Sequence, residues 1–145
     1  MKILIILFCL LSNSAEASIC DIVFQEAAMD GFPTGLDVLT IISVESDFKP
    51  KAFYKKSVGL MMVQAKDRKL RKKLQEPLLN IQAGVALLES YDEILGSPEA
   101  AIKAYNVGIG NYQSKRFKKS AQTYWAKFRV TRKKVSKGYE EICNN

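Results

Sequence analysis

Glu45 closes a strongly apolar run, directly behind Ile41, Ile42 and Val44. Burial disfavours an ionised carboxylate and raises its pKa. The negative end of a helix dipole pushes the same way. A glutamic acid so placed keeps its proton near neutral pH, which is the state a general acid needs. The competing reading is a surface glutamate paired with Lys49 or Lys51, and the local pattern alone favours it. Asp47 is the nearest candidate second acid, but two residues further along a helix end its side chain should diverge from that of Glu45. The chain has no histidine. That excludes Ser-His-Asp and Cys-His catalysis and the usual histidine-bearing zinc sites. Carboxylates, hydroxyls, amides and backbone must do any chemistry, and neither a metal nor a cofactor is expected.

The elements around Glu45 read as helices throughout. Ile19 to about Asp30 forms a first helix, stopped by Gly31 and Pro33. Thr34 is the N-cap of the next, with Asp37 three residues on in a capping-box position. That helix, Gly35 to about Ser46, is apolar almost all the way round and should be central. Its β-branched content also permits a strand, and the cap signals favour helix. Pro77 opens a long helix that runs to Leu95 and stops at Gly96. Ser97 and Pro98 open another, ending near Tyr105, before a Gly-rich turn, NVGIGNY. A basic helix covers about Ala121 to Lys137. At 145 residues the chain supports one all-α domain with a single core, built from six or seven short helices. No repeat or linker divides it.

The first 17 residues have the features of an export signal. Lys2 supplies the positive start, Ile3 to Leu11 an apolar stretch, and Ala15-Glu16-Ala17 an A-x-A cleavage site. Nine apolar residues are too few to span a bilayer. Bulky Phe8 before Cys9 argues against a lipoprotein, and an uncleaved anchor is the main alternative to cleavage. Residues 18–145 would then be the mature domain, exported to the periplasm or cell envelope, with no transmembrane segment. Cleavage leaves two cysteines, Cys20 and Cys143. In an oxidising compartment these should pair and tie the termini together, the alternative being two unrelated buried thiols. The net charge of +7 is unchanged by cleavage, because Lys2 and Glu16 leave together. Much of it lies in Arg68–Lys73 and between Lys115 and Lys137. A basic exported protein suits an anionic wall polymer or membrane surface, and export argues against nucleic acid. A solvated basic face that only aids solubility is the even-handed alternative.

Four blocks then shift the balance at Glu45. Glu45-Ser46, Gly59-Leu60-Met61, Asn80-Ile81 with Gly84, and Ala104-Tyr105-Asn106 with Gly108 follow one another in that order. Together they resemble the soluble lytic transglycosylase (SLT) family of lysozyme-like domains, over about Val38 to Tyr112. The resemblance implies a lysozyme-like helical domain that cleaves the β-1,4 bond between N-acetylmuramic acid and N-acetylglucosamine in peptidoglycan. Glu45 would protonate the glycosidic oxygen, then act as base on the muramic acid's own 6-hydroxyl, which closes a 1,6-anhydro ring. One carboxylate suffices there, unlike the usual two-carboxylate glycosidase. Gly59 would let backbone approach the sugar, and Leu60 and Met61 would wall the acid's pocket. Tyr105 would bond to Glu45 or the sugar. The alternatives are a turn glycine, core residues and a packed aromatic. Asn106 would satisfy loop backbone more than it touches substrate, and Asn80 would be a structural helix-start residue.

The chain departs from the family pattern in two places. The family's Gly-Leu-Met-Gln reads Gly59-Leu60-Met61-Met62, with Gln64 two positions later, where a helix would turn it elsewhere. A serine often found nine residues after the glutamate is Tyr54, and the loop is one residue shorter. Weakened or altered sugar specificity is expected, and the acid itself is untouched. Lysozyme-type hydrolysis, a catalytically impaired peptidoglycan-binding protein and a cationic membrane-active protein are the alternatives. By analogy, the expected partners are glycan strands and a secretion, conjugation or phage apparatus.

Overall fold

The computed structural model describes residues 17–144. The expected export signal lies outside the described residues except for its last, Ala17. Eight helices are formed among the described residues: α1 (Ile19–Glu26), α2 (Gly35–Ser46), α3 (Arg68–Lys73), α4 (Pro77–Leu95), α5 (Pro98–Val107), α6 (Ile109–Gln113), α7 (Lys118–Lys137) and α8 (Tyr139–Asn144). Three two-residue strands, β1 (Phe53–Tyr54), β2 (Ser57–Val58) and β3 (Val63–Gln64), pair antiparallel in that order between α2 and α3. Phe53 lies opposite Val58, and Ser57 opposite Gln64. The all-α domain expected from the sequence is what forms, and the three short strands are an addition that the reading did not include. Strands this short carry no alternation that could announce them.

Capping chemistry fixes the ends of the central helix. The Asp37 backbone N–H donates to Thr34 Oγ1 at 3.2 Å, and the Thr34 N–H donates to Asp37 Oδ2 at 3.0 Å. The other Asp37 oxygen, Oδ1, accepts from Arg132 Nε at 2.7 Å, fastening the start of α2 to α7. At its far end α2 stops at Asp47, whose φ of 51° is left-handed. The first helix ends at Glu26, earlier than Asp30, because Ala27 is already extended with ψ 156°. The Gly-rich NVGIGNY segment, expected as a turn, winds into the short helix α6.

Helix α2 is the axis of the core. Val38, Leu39, Ile41 and Ile42 are wholly buried on it, against Val23 of α1, Ile81 and Leu88 of α4 and Phe128 of α7. Each such side chain contributes roughly 1.5–3 kcal/mol by leaving water. The termini meet as the cysteine count suggested. Cys20 and Cys143 form a disulfide with their Cα atoms 5.5 Å apart.

A second, smaller cluster of Val58, Ala65 and Leu74 packs under the strands. Asn80, wholly buried in the first turn of α4, ties this lobe down. Its Nδ2 donates to Val58 O at 2.8 Å and Leu74 O at 2.7 Å, and its Oδ1 accepts from Met61 N at 2.7 Å. It is structural, as expected, and it staples both the strand lobe and the end of α3 to α4. Asn80→Ala would orphan three buried backbone groups. The expected loss is about 2–4 kcal/mol, read as a lower urea midpoint with an unchanged m-value.

Candidate active site

Helix α2 carries Glu45 half-buried on its last turn. Its Oε1 accepts a hydrogen bond of 2.5 Å from the Tyr124 hydroxyl, which α7 brings across 79 residues of sequence. Burial raises the Glu45 pKa; the Tyr124 bond and the nearby Lys127 charge pull it back, and the net displacement is upward. Lys127 Nζ donates to the carbonyl of Val44, 3.2 Å away, which places its charge one residue from the acid. Burial and the neighbouring Glu45 together push the Tyr124 hydroxyl well above its ordinary range, so it stays a neutral donor. The surface ion pair considered for Glu45 does not form. Lys49 sits 3.8 Å from Asp47 instead, and the Asp47 side chain is exposed to solvent.

A groove of about 490 Å³ opens on the Tyr124 side of this pair, lined by Asn106, Lys119, Ser120, Thr123, Tyr124 and Lys127, and Glu45 adjoins it through its bond to Tyr124. Asn106 thus faces the groove, where the sequence had suggested a loop-backbone role. The Tyr105 hydroxyl donates to Met61 O at 2.6 Å. The hydroxyl on Glu45 therefore comes from Tyr124, whereas the sequence had offered Tyr105. Tyr105 remains close enough for the Glu45 charge to raise its pKa, with burial the larger cause. Its bond to Met61 holds the strand lobe against α5, behind the acid.

The remaining candidates divide between core and surface. Ser46 is buried, its hydroxyl spent on Ile42 O at 3.1 Å. Leu60 and Met61 are wholly buried core residues. Gly59, at φ 79°, could not carry a Cβ, which would lie 2.2 Å from Asn80 Nδ2. Close packing on Asn80 by itself requires glycine there. Gly84 is required in the same way, because a Cβ would lie 2.4 Å from Met61 Sδ. Met62 is half-buried in the left-handed region at φ 49°, following the turn closed by its N–H to Gly59 O at 3.1 Å. Gln64 is not on a helix: it lies exposed on β3, opposite Ser57. Tyr54 is exposed on β1 with Lys55 Nζ 5.1 Å from its ring centre. The structure therefore gathers Glu45, Tyr105 and Asn106 around Tyr124, and spreads Tyr54 and Gln64 over the strand lobe. Among the described residues no three His, Cys, Asp or Glu side chains converge in a metal-binding group.

Tyr124 is the residue that motif matching missed. Ala121, Tyr124, Phe128 and Val135 are the buried stripe of an otherwise basic helix. A tyrosine in such a stripe needs a partner for its hydroxyl, and an acid at the end of an apolar helix is one.

The protein-family model described as transglycosylase SLT domain matches residues 21–128. That span contains Glu45, Tyr105, Asn106 and Tyr124. No curated protein and no solved structure matches the chain.

Proposed function

The chain belongs to the transglycosylase SLT domain family, and from that premise we propose that Glu45 is the single acid of a peptidoglycan lytic transglycosylase. The family's general activity on peptidoglycan carries over; the bond, the product and the residue roles are our reading. Glu45 protonates the oxygen of the β-1,4 bond between N-acetylmuramic acid and N-acetylglucosamine as that bond breaks. The resulting carboxylate takes the proton of the muramic 6-hydroxyl, whose oxygen attacks the anomeric carbon and closes the 1,6-anhydro ring. The proton count balances without water, and Glu45 ends protonated. The observation that carries this reading is the Tyr124–Glu45 hydrogen bond beside an open groove. It fixes the carboxyl's rotamer and can strengthen while Glu45 bears charge.

Mass spectrometry of digested peptidoglycan tests the product. Anhydro-ended muropeptides are expected. Reducing ends would assign lysozyme-type hydrolysis, and no cleavage at all would leave a wall-binding protein in which Met62 replaces a sugar contact. The disulfide between Cys20 and Cys143 supports an oxidising, periplasmic setting. It accords with removal of residues 1–17, which an intact mass beginning at Ser18 would establish. By analogy with the family's activity, the setting we propose is local opening of the wall for a secretion, conjugation or phage apparatus.

Tyr124→Phe supplies a pH test. The hydroxyl lowers the Glu45 pKa, so its removal lets burial raise that pKa further. The acid form then persists to higher pH. The alkaline fall of kcat/KM should move upward in the variant, while the optimum rate drops about tenfold as the carboxyl loses its orientation. A profile that keeps its position would separate Tyr124 from the acid.

A further inference from the structure

A second cavity lies away from the groove. It has a volume of about 380 Å³ and is enclosed by the end of α4, by α5, by α6 and by the first turns of α7. Lys103, Lys115, Arg116 and Lys118 all line it, together with Tyr112 and Gln122, and no acidic side chain does. The cations are not equivalent. Lys103 is a core residue whose side chain is 9% exposed, and its ammonium pairs with Glu99 one turn earlier on α5. An ammonium has three N–H donors, and Glu99 accepts one of them. Glu99 is itself half in solvent, with a side chain 48% exposed. Buried donors are normally satisfied, so the remaining N–H groups of a cation at a cavity wall are available to water or to an acceptor that enters the cavity.

The charge points the same way. Four cationic side chains and the one carboxylate on Lys103 leave a surplus of three positive charges about the cavity. In a concave site with low-dielectric walls such charges reinforce one another and concentrate anions. The volume is near the low end of small-molecule sites. Three ammonium groups acting as point charges and one guanidinium fork suit tetrahedral phosphate oxygens, which accept from several directions at once. Gln122 adds an amide donor and Tyr112 a hydroxyl at the wall.

We propose that this cavity is an oxyanion pocket for a compact phosphate group, a monoester or a diphosphate, carried free or on a lipid headgroup. Its position leaves catalysis undisturbed. On α7, Lys118 and Gln122 face the cavity, while Lys119, Thr123 and Lys127 face the groove. At ~100° per residue the two rows are roughly a third of a turn apart. A phosphate-bearing component of the envelope bound on one side therefore holds the domain in place while the groove stays open to a glycan. This pocket does not depend on the wall-cleaving reading.

Calorimetric titration of the disulfide-bonded protein with pyrophosphate tests the proposal. We expect saturable one-to-one binding, weakened at least tenfold in the double variant Arg116→Gln/Lys118→Gln, with the rate of peptidoglycan digestion unchanged. Both substituted residues are exposed, so the fold is kept, and Lys103→Met should lose binding as well where it folds. Sedimentation with phosphatidic acid vesicles, against phosphatidylcholine vesicles, separates the sources. Vesicle binding lost in the double variant assigns the headgroup, and soluble pyrophosphate binding alone assigns free phosphate; either supports the pocket. No saturation by millimolar pyrophosphate overturns it. So does binding that the double variant retains, or tighter binding of a tricarboxylate than of pyrophosphate.

Discussion

Glu45→Gln is expected to slow peptidoglycan cleavage by about 10²–10⁴-fold, the usual worth of a positioned acid–base group, while leaving the fold intact. The amide keeps the shape of the acid, and its carbonyl oxygen can still accept from the Tyr124 hydroxyl. It cannot give up a proton to the glycosidic oxygen, and it cannot take one from the sugar's 6-hydroxyl. Both halves of the proposed cycle are lost together, so no choice of pH should rescue the variant. Thermal unfolding should stay near that of the parent or rise slightly, since a carboxyl held in a half-buried site costs more to ionise there than an amide costs to place. The measurement is the clearing rate of a wall suspension, with circular dichroism as the fold control. Equal clearing by both proteins would remove Glu45 from the chemistry. If neither protein clears the suspension, catalysis by this acid is refuted too.

Loss of the disulfide should have the largest effect on stability. Cys20 and Cys143 are separated by 123 positions, and a loop that long restricts the unfolded chain by about 4–5 kcal/mol in the chain-entropy account. Cys20 is also buried in the core, and α1, which carries it, packs on α4 and α2. In Cys20→Ser/Cys143→Ser the freed ends fray first: α8 and the close of α7 lose their covalent tie to α1. Glu45 and Tyr124 are held by α2 and the middle of α7, where Arg132 still reaches Asp37. We therefore expect a much lower melting temperature with wall cleavage retained below it. Reducing the parent protein with dithiothreitol should reproduce the change. An unaltered melting temperature would mean that the bridge ties ends already fixed by packing.

Helix boundaries were legible wherever short-range chemistry sets them. Thr34 with Asp37, Pro77 with Gly96, and Ser97 with Pro98 each mark a start or stop within one turn, and α2, α4 and the opening of α5 fall where those residues put them. The disulfide followed from counting thiols under an assumed export. The strand lobe was not legible. Its two-residue strands are held by the Asn80 side chain from α4, a contact across about 20 positions that no local pattern encodes. The motif blocks drew attention to Gly59, Leu60 and Met61 as a substrate wall, but they also serve packing: the glycine makes room for Asn80, and the other two are core. Glu45 was only half legible from its own helix: the apolar run suggested burial, the local pattern still favoured a surface glutamate, and the motif blocks shifted the balance. Its hydroxyl partner was not legible, because which of two tyrosines reaches it depends on how α5 and α7 cross α2.

The contact between Gly84 and Met61 also determines how the protein meets oxidants. Met61 is wholly buried, and its thioether lies against the α4 backbone at Gly84, where a side chain would otherwise stand. Met29 is 97% exposed. Peroxide therefore converts Met29 to the sulfoxide at the surface, whereas sulfoxide at Met61 forms only in molecules that have opened. The extent of Met61 sulfoxidation would thus record how often the core has been breached.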